Sequence, residues 1–190
     1  MIGKIFVGVI VISALLAGAA IYYLQVYGYY YEVKASAPAA EIRMTTMEGV
    51  PEPVLIEGFE GIDADSSPIR FRACFRTPQS MAMMTETYKI YEDATPLVAP
   101  GWFGCFDANA IGEALEQGRA VAYLGEENIE YGIDRVVAVM DDGRAFAWNQ
   151  INRCGAVVFK GEPAPEGCPV PLAVPPAVPP AVPPAATPKE

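Results

Sequence analysis

Ile5 to Leu24 is an unbroken apolar run with no charged residue. Wound as a helix at ~1.5 Å per residue it measures about 30 Å, the thickness of a bilayer's hydrocarbon core. Tyr22, Tyr23, Tyr27, Tyr29, Tyr30 and Tyr31 gather at its end, where a ring can lie in apolar surroundings while its hydroxyl stays wet. The pattern predicts a transmembrane anchor with a tyrosine-rich interface over residues 1–31. Ala17-Gly18-Ala19 also reads as a signal-peptide cleavage site. The apolar run continues past it through Ile21-Tyr22-Tyr23-Leu24, which suits a retained anchor better. Ala14, Ala17 and Gly18 share one helical face with Ile21, and Ala14 and Gly18 have the small-xxx-small spacing that lets another membrane helix approach closely. These three small residues are a candidate helix-packing face.

Glu32 to Pro53 has no clean period and carries Pro38, Pro51 and Pro53, so residues 32–53 are expected as a stalk. Residues 54–168 are expected to form the domain, opening with a short strand at 54–57. Ile69 to Phe75 alternates: Ile69, Phe71, Ala73 and Phe75 point one way, and Arg70, Arg72, Cys74 and Arg76 the other. That predicts a half-buried strand whose outward side carries the basic stripe Arg70, Arg72 and Arg76. Such a stripe can hold a carboxylate or an acidic partner surface; pairing with acids across the sheet is its plainer use.

Asp107 is placed to cap a helix from Ala108 to Gln117, with Gly118 as its stop. Three strand-like runs follow, 119–124, 134–140 and 144–151. Asp141-Asp142-Gly143 joins the last two as a hairpin, because glycine accepts the positive φ that the turn needs. Phe146 and Trp148 share a face and are expected in the core. Glu126-Glu127-Asn128 with Glu130 reads as a solvated acidic loop, and 156–159 as a further short strand. Strands joined by a hairpin and a helix, without a regular strand–helix–strand rhythm, predict an α+β domain with an antiparallel sheet. In the tail, Ala-Val-Pro-Pro recurs at 173–176, 177–180 and 181–184. Proline removes amide donors, so residues 169–190 are expected to be extended or disordered.

Composition then removes function classes. The net charge of −10 argues against a nucleic-acid partner, whose phosphates need clustered Lys and Arg. Histidine is absent, which excludes Ser-His-Asp and Cys-His nucleophile systems and histidine-ligated metals. No cofactor or metal site is expected. Catalysis by carboxylates, with Asp107 or Glu130 as candidates, is a residual reading, and the chain reads as a non-enzyme. The four cysteines, Cys74, Cys105, Cys154 and Cys168, contain no Cys-x-x-Cys pair and point to two disulfides in an oxidising compartment. Of three connectivities, Cys74–Cys105 and Cys154–Cys168 are preferred. The first would anchor the long irregular segment before the helix at Asp107. The second closes a short return through Gly161-Glu-Pro-Ala-Pro-Glu-Gly167. Cys74 beside Arg72 and Arg76 would be a reactive thiol if it were free.

Arg70-Phe-Arg-Ala-Cys74-Phe, Pro100-Gly-Trp-Phe-Gly-Cys105-Phe-Asp107, Gly132-Ile-Asp-Arg-Val and Asn152-Arg-Cys154-Gly, behind a short span ending in tyrosines, resemble a family of uncharacterised alphaproteobacterial single-span membrane proteins. The resemblance covers most of residues 1–168, omits the tail and implies no activity. The expectation is a non-catalytic, membrane-anchored interaction protein, an accessory or assembly component of a membrane complex. Its N-terminus is expected in the cytoplasm and its domain in the periplasm, at the inner membrane. The expected partners are the lipid bilayer and a membrane protein. The alternative is a small-molecule-binding or thiol-redox domain.

Overall fold

The computed structural model describes residues 2–171; the Ala-Val-Pro-Pro repeats of the expected tail lie outside them. Helix α1 (Ile2–Tyr23) runs without a break into a π-helical turn, Leu24–Gly28. One continuous rod, Gly3–Gly28, is long and apolar enough to cross a membrane, and none of it is buried against the domain.

Behind the rod stands an antiparallel sheet of six strands. They are β1 (Tyr31–Glu32), β4 (Glu57–Asp63), β5 (Arg72–Arg76), β6 (Ala120–Glu130), β7 (Ile133–Met140) and β8 (Arg144–Ile151). Their order across the sheet is β1-β4-β5-β8-β7-β6. A separate hairpin, β2 (Arg43–Thr45) with β3 (Pro51–Pro53), lies on one face of the sheet together with α2 (Met81–Thr87). The other face is covered by α3 (Ala108–Glu116) and by the irregular segment 89–107, here called the strap. The short α4 (Arg153–Val158) closes the far end of β8. The α+β architecture, the antiparallel sheet and the 140–144 hairpin agree with the sequence pattern.

Both faces of the sheet are covered, so each strand feeds two cores by its two-residue alternation. Phe71, Ala73, Phe75, Val137, Val139, Ala145 and Ala147 fill one core. Cys74, Val136, Ala138, Phe146 and Trp148 fill the other. This corrects the reading of the first long strand as half-buried. β5 has covered residues on both sides, and Arg72 is only 4% exposed.

Four further readings are corrected. Residues 32–53 are no stalk: Val33, Ala40, Ile42 and Met44 are core residues, and Thr45 Oγ1 donates to the Gly125 carbonyl at 2.7 Å. The prolines that suggested a linker open a 3-10 turn at Pro38 and sit on the edge strand β3, where a missing amide donor costs little. Residues 54–56 connect β3 to β4 rather than forming a strand of their own, and β4 begins only at Glu57. The acidic run 126–130 continues β6 through two bulges instead of looping into solvent. Residues 156–159 belong to α4 and its end, because Asn152 caps a helix there: its Oδ1 accepts from the Cys154 and Gly155 amides. Asp107 caps α3 as the sequence predicts, accepting from Asn109 N and Ala110 N.

Candidate functional site

The strap starts beside β6 with main-chain bonds: Lys89 N donates to the Thr45 carbonyl, Tyr91 N donates to the Ala122 carbonyl, and the Lys89 carbonyl accepts from Leu124 N. Beyond Tyr91 its main-chain bonds are local turns, Phe103 N to the Pro100 carbonyl and Phe106 N to the Phe103 carbonyl. Side chains rising from the sheet hold it at five successive points. Tyr91 donates its hydroxyl to Asp134 Oδ2 at 3.1 Å. Gln150 donates to the Asp93 carbonyl and accepts from Thr95 N, both at 2.9 Å. Arg72 donates to the carbonyls of Leu97 at 2.7 Å and Val98 at 3.3 Å. Cys74 is bonded to Cys105 across a Cα separation of 6.2 Å. Phe106 meets Phe146 and Trp148 edge-on.

Between the strap, the end of β8 and α4 lies a cleft of about 700 Å³. Its floor carries a buried carboxylate, Asp134, whose Oδ1 accepts from Asn128 N at 2.9 Å and from Asn152 Nδ2 at 2.7 Å. With Tyr91 on Oδ2, both oxygens are committed to internal donors. Burial and, after it, the charge of Asp134 push the Tyr91 hydroxyl well above the usual tyrosine range. Around the mouth stand Glu92, Asp93 and Glu127, and Arg153 is the one basic residue among those lining it. The cleft can admit a small polar molecule. The Asp134 carboxylate at its floor is already solvated by protein donors. No cluster of metal-ligating side chains occurs among the described residues.

The backbone around this floor is tight. Gly132, in the turn after β6, lies against Gly155 of α4, and a Cβ on either would collide with the backbone of the other. Asn152 N donates to the Gly132 carbonyl at 2.9 Å. The second disulfide, Cys154–Cys168, with a Cα separation of 5.7 Å, returns the end of the described chain to α4. Tyr131 then donates its hydroxyl to the Pro169 carbonyl.

The three arginines of the expected stripe are separated by the fold. Arg72 is buried, and besides the strap carbonyls its guanidinium donates to Ile69 O and Phe71 O. Burial holds its pKa down to about 10, despite the nearby Tyr30 and Asp63. Arg76 is exposed and donates to the Asp142 carbonyl. Arg70 belongs to a turn, Pro68–Arg70, and reaches the end of the membrane-length rod, where it donates to Gln25 Oε1 at 2.6 Å and to the Gln25 carbonyl at 3.3 Å. Beside it Trp102 Nε1 donates to the Val26 carbonyl at 2.6 Å, and its ring stacks on Tyr27 and meets Tyr30 and Phe103 edge-on. Arg70 and Trp102 thus seat the rod on the domain.

All four cysteines are paired, so Cys74 is no reactive thiol. Ala14, Ala17 and Gly18 are exposed along α1, and nothing in the domain covers them. The residues of the cleft floor, Tyr91, Asp134, Gln150 and Asn152, went unrecognised in the sequence as a site. Their signal was present: Asp134 and Asn152 are polar residues in the strongly patterned Gly132-Ile-Asp and Asn152-Arg-Cys motifs, at positions the fold buries.

Against known proteins, residues 42–169 match the model of a family of unknown function, DUF6446. The match covers more than half of the chain, and the chain belongs to that family. No curated protein and no solved structure gives a significant match.

Proposed function

We propose that this chain is a non-catalytic, membrane-anchored interaction protein of the inner membrane. Its N-terminus lies in the cytoplasm and its disulfide-bonded domain in the periplasm, and it serves as an accessory or assembly component of a membrane complex. The observation that carries this reading is the state of the rod: its end is fixed to the domain through Arg70 and Trp102, while its small-residue face at Ala14, Ala17 and Gly18 is bare. A helix held rigidly at one end and uncovered along its length suits lateral contact with another span. Two disulfides support an oxidising compartment. Retention of the anchor is supported by what cleavage would leave: an apolar turn at Ile21 to Leu24 exposed to water.

Purification of the tagged full chain in mild detergent, before and after Gly18→Leu, tests the reading. A membrane protein should accompany the native chain and be lost with the variant. Recovery of the native chain alone would count decisively against it. Protease added to spheroplasts should digest the domain, and protection from the outside would reverse the topology.

One observation favours a second reading, small-molecule binding. The cleft of about 700 Å³ lies within the range of about 300–1,000 Å³ typical of ligand sites. Native mass spectrometry of the domain released gently from its membrane decides it: a stoichiometric adduct lost on Asn152→Leu supports a ligand, and a bare mass opposes one. The thiol-redox alternative loses its premise with the pairing of Cys74.

A further inference from the structure

We propose that the strap segment 98–104 is a second membrane contact, with Val98 and Trp102 seated in the head-group layer of the leaflet from which the rod emerges; this rests on the reading that the anchor is retained. A hydrocarbon core takes about 20 helical residues. Counted from Lys4, whose ammonium belongs at the opposite surface, the core ends near Leu24. Gln25 is the first polar side chain after the apolar run, and it marks the exit. Val26 and Tyr27 therefore lie at head-group depth.

Trp102 is tied to that depth. Its indole N–H donates to the Val26 carbonyl at 2.6 Å, and its ring centroid is 6.4 Å from that of Tyr27. Indole and phenol rings favour this layer because each has an apolar body and a polar edge. The surrounding chain has matching chemistry. Thr95 to Phe106 contains no charged residue in a protein of net charge −10. Val98 is 77% exposed and Trp102 43% exposed, an apolar surface that water disfavours and an interface accepts. The segment is also held rigidly, by Arg72 at Leu97 and Val98 and by Cys74 at Cys105. It is therefore presented to the lipid in one pose. Arg70 on Gln25 fixes the second side of the seat. The domain rides on the lipid surface in a set orientation, and uncharged lipid suffices because the contact is aromatic and aliphatic.

The test uses the full chain in phosphatidylcholine vesicles whose acyl chains carry bromine either near the glycerol or near the methyl end. The protein has two tryptophans, and Trp148 is fully buried in the domain core, so emission quenched by lipid reports Trp102. Emission should fall with the shallow label, fall less with the deep one, and be insensitive to both in Trp102→Phe. Equal emission in brominated and plain vesicles overturns the contact. Alkaline extraction of the same vesicles separates the two levels of the argument. A chain that stays in the pellet with unquenched Trp102 overturns only the strap contact, whereas a chain that washes out overturns the anchored reading with it.

Discussion

Arg72 and Asp134 are the two buried charges that organise the strap, and they do so in opposite ways. Neither forms an ion pair among the described residues. Arg72 gathers four main-chain carbonyls from two irregular stretches, Ile69 and Phe71 on one side and Leu97 and Val98 on the other. Asp134 gathers one backbone amide and two side-chain donors around the cleft. Each ion is solvated by protein dipoles where regular pairing is missing, which is what makes an irregular segment tolerable in a buried layer. The difference lies in what each would leave behind. Carbonyls fixed in backbone cannot turn to water, whereas Tyr91 and Asn152 border an open cleft and can.

The comparison therefore predicts an order of costs. Arg72→Leu should be the most damaging, about 3–5 kcal/mol, because it orphans buried acceptors that a guanidinium alone can reach together. Chemical denaturation of the full chain in detergent would show it as a fall in midpoint. Arg72→Lys should recover only part of the loss, since a single ammonium cannot span both stretches. A loss for Arg72→Leu no larger than that of an Asp134 variant would break the comparison.

Removing the Cys74–Cys105 bridge comes next. With a sequence separation of 31, the chain-entropy estimate is about 3–4 kcal/mol. The bridge and Arg72 hold neighbouring parts of the strap, so their losses should not add. The double variant should fall short of the sum of the single ones by about 1 kcal/mol or more. Simple additivity would show that the strap is pinned independently at each point.

Asp134→Asn should cost less, about 1–3 kcal/mol. The amide sets one NH2 group against the donors Tyr91, Asn128 and Asn152, but water in the cleft can relieve the mismatch. Amide hydrogen exchange sharpens this. Protection should drop at Asn128 and around α4 while the β5–β8 ladder keeps its protection, and uniform loss across the sheet would contradict a local role.

The same contrast explains what was legible in the sequence. Regular elements were read from short-range signals: the apolar run of α1, the Asp107 cap, the Asp-Gly turn and the alternation on β8. The strap escaped because long-range side-chain contacts hold it, and no local pattern encodes them. Arg72 looked like part of an exposed stripe because alternation gives the side of a strand, not whether that side is covered. The supposed stalk erred the other way. Ile42 and Met44 are buried around the short strand β2, but a strand of three residues is too short to show a period, and three nearby prolines suggested a linker instead. Asp134 and Asn152 lay in plain view within the quoted motifs, but which donors they meet is decided by the turn at Gly132 and its fit against Gly155.

The smallest effect, and the finest test of the contrast, belongs to Tyr91→Phe. It removes one hydrogen bond to Asp134 at a half-buried position where water can substitute, so about 1 kcal/mol is expected near neutral pH. The pH dependence carries more information than the magnitude. The Tyr91 hydroxyl is held above its ordinary pKa, by burial first and by Asp134 second. Below pH about 10, the ordinary tyrosine value, both folded and unfolded chains keep the proton, and the native residue contributes its full stabilisation. Above that pH the unfolded chain releases the proton while the folded one retains it, so the native chain loses stability as the pH rises toward the folded-state value. The phenylalanine variant has no such proton to lose. The gap between native and variant denaturation midpoints should therefore be constant up to pH about 10 and then close, since the other tyrosines titrate alike in both. A gap that stayed open into strong alkali would mean that the hydroxyl is as free in the fold as in the unfolded chain, and that Asp134 holds the strap without it.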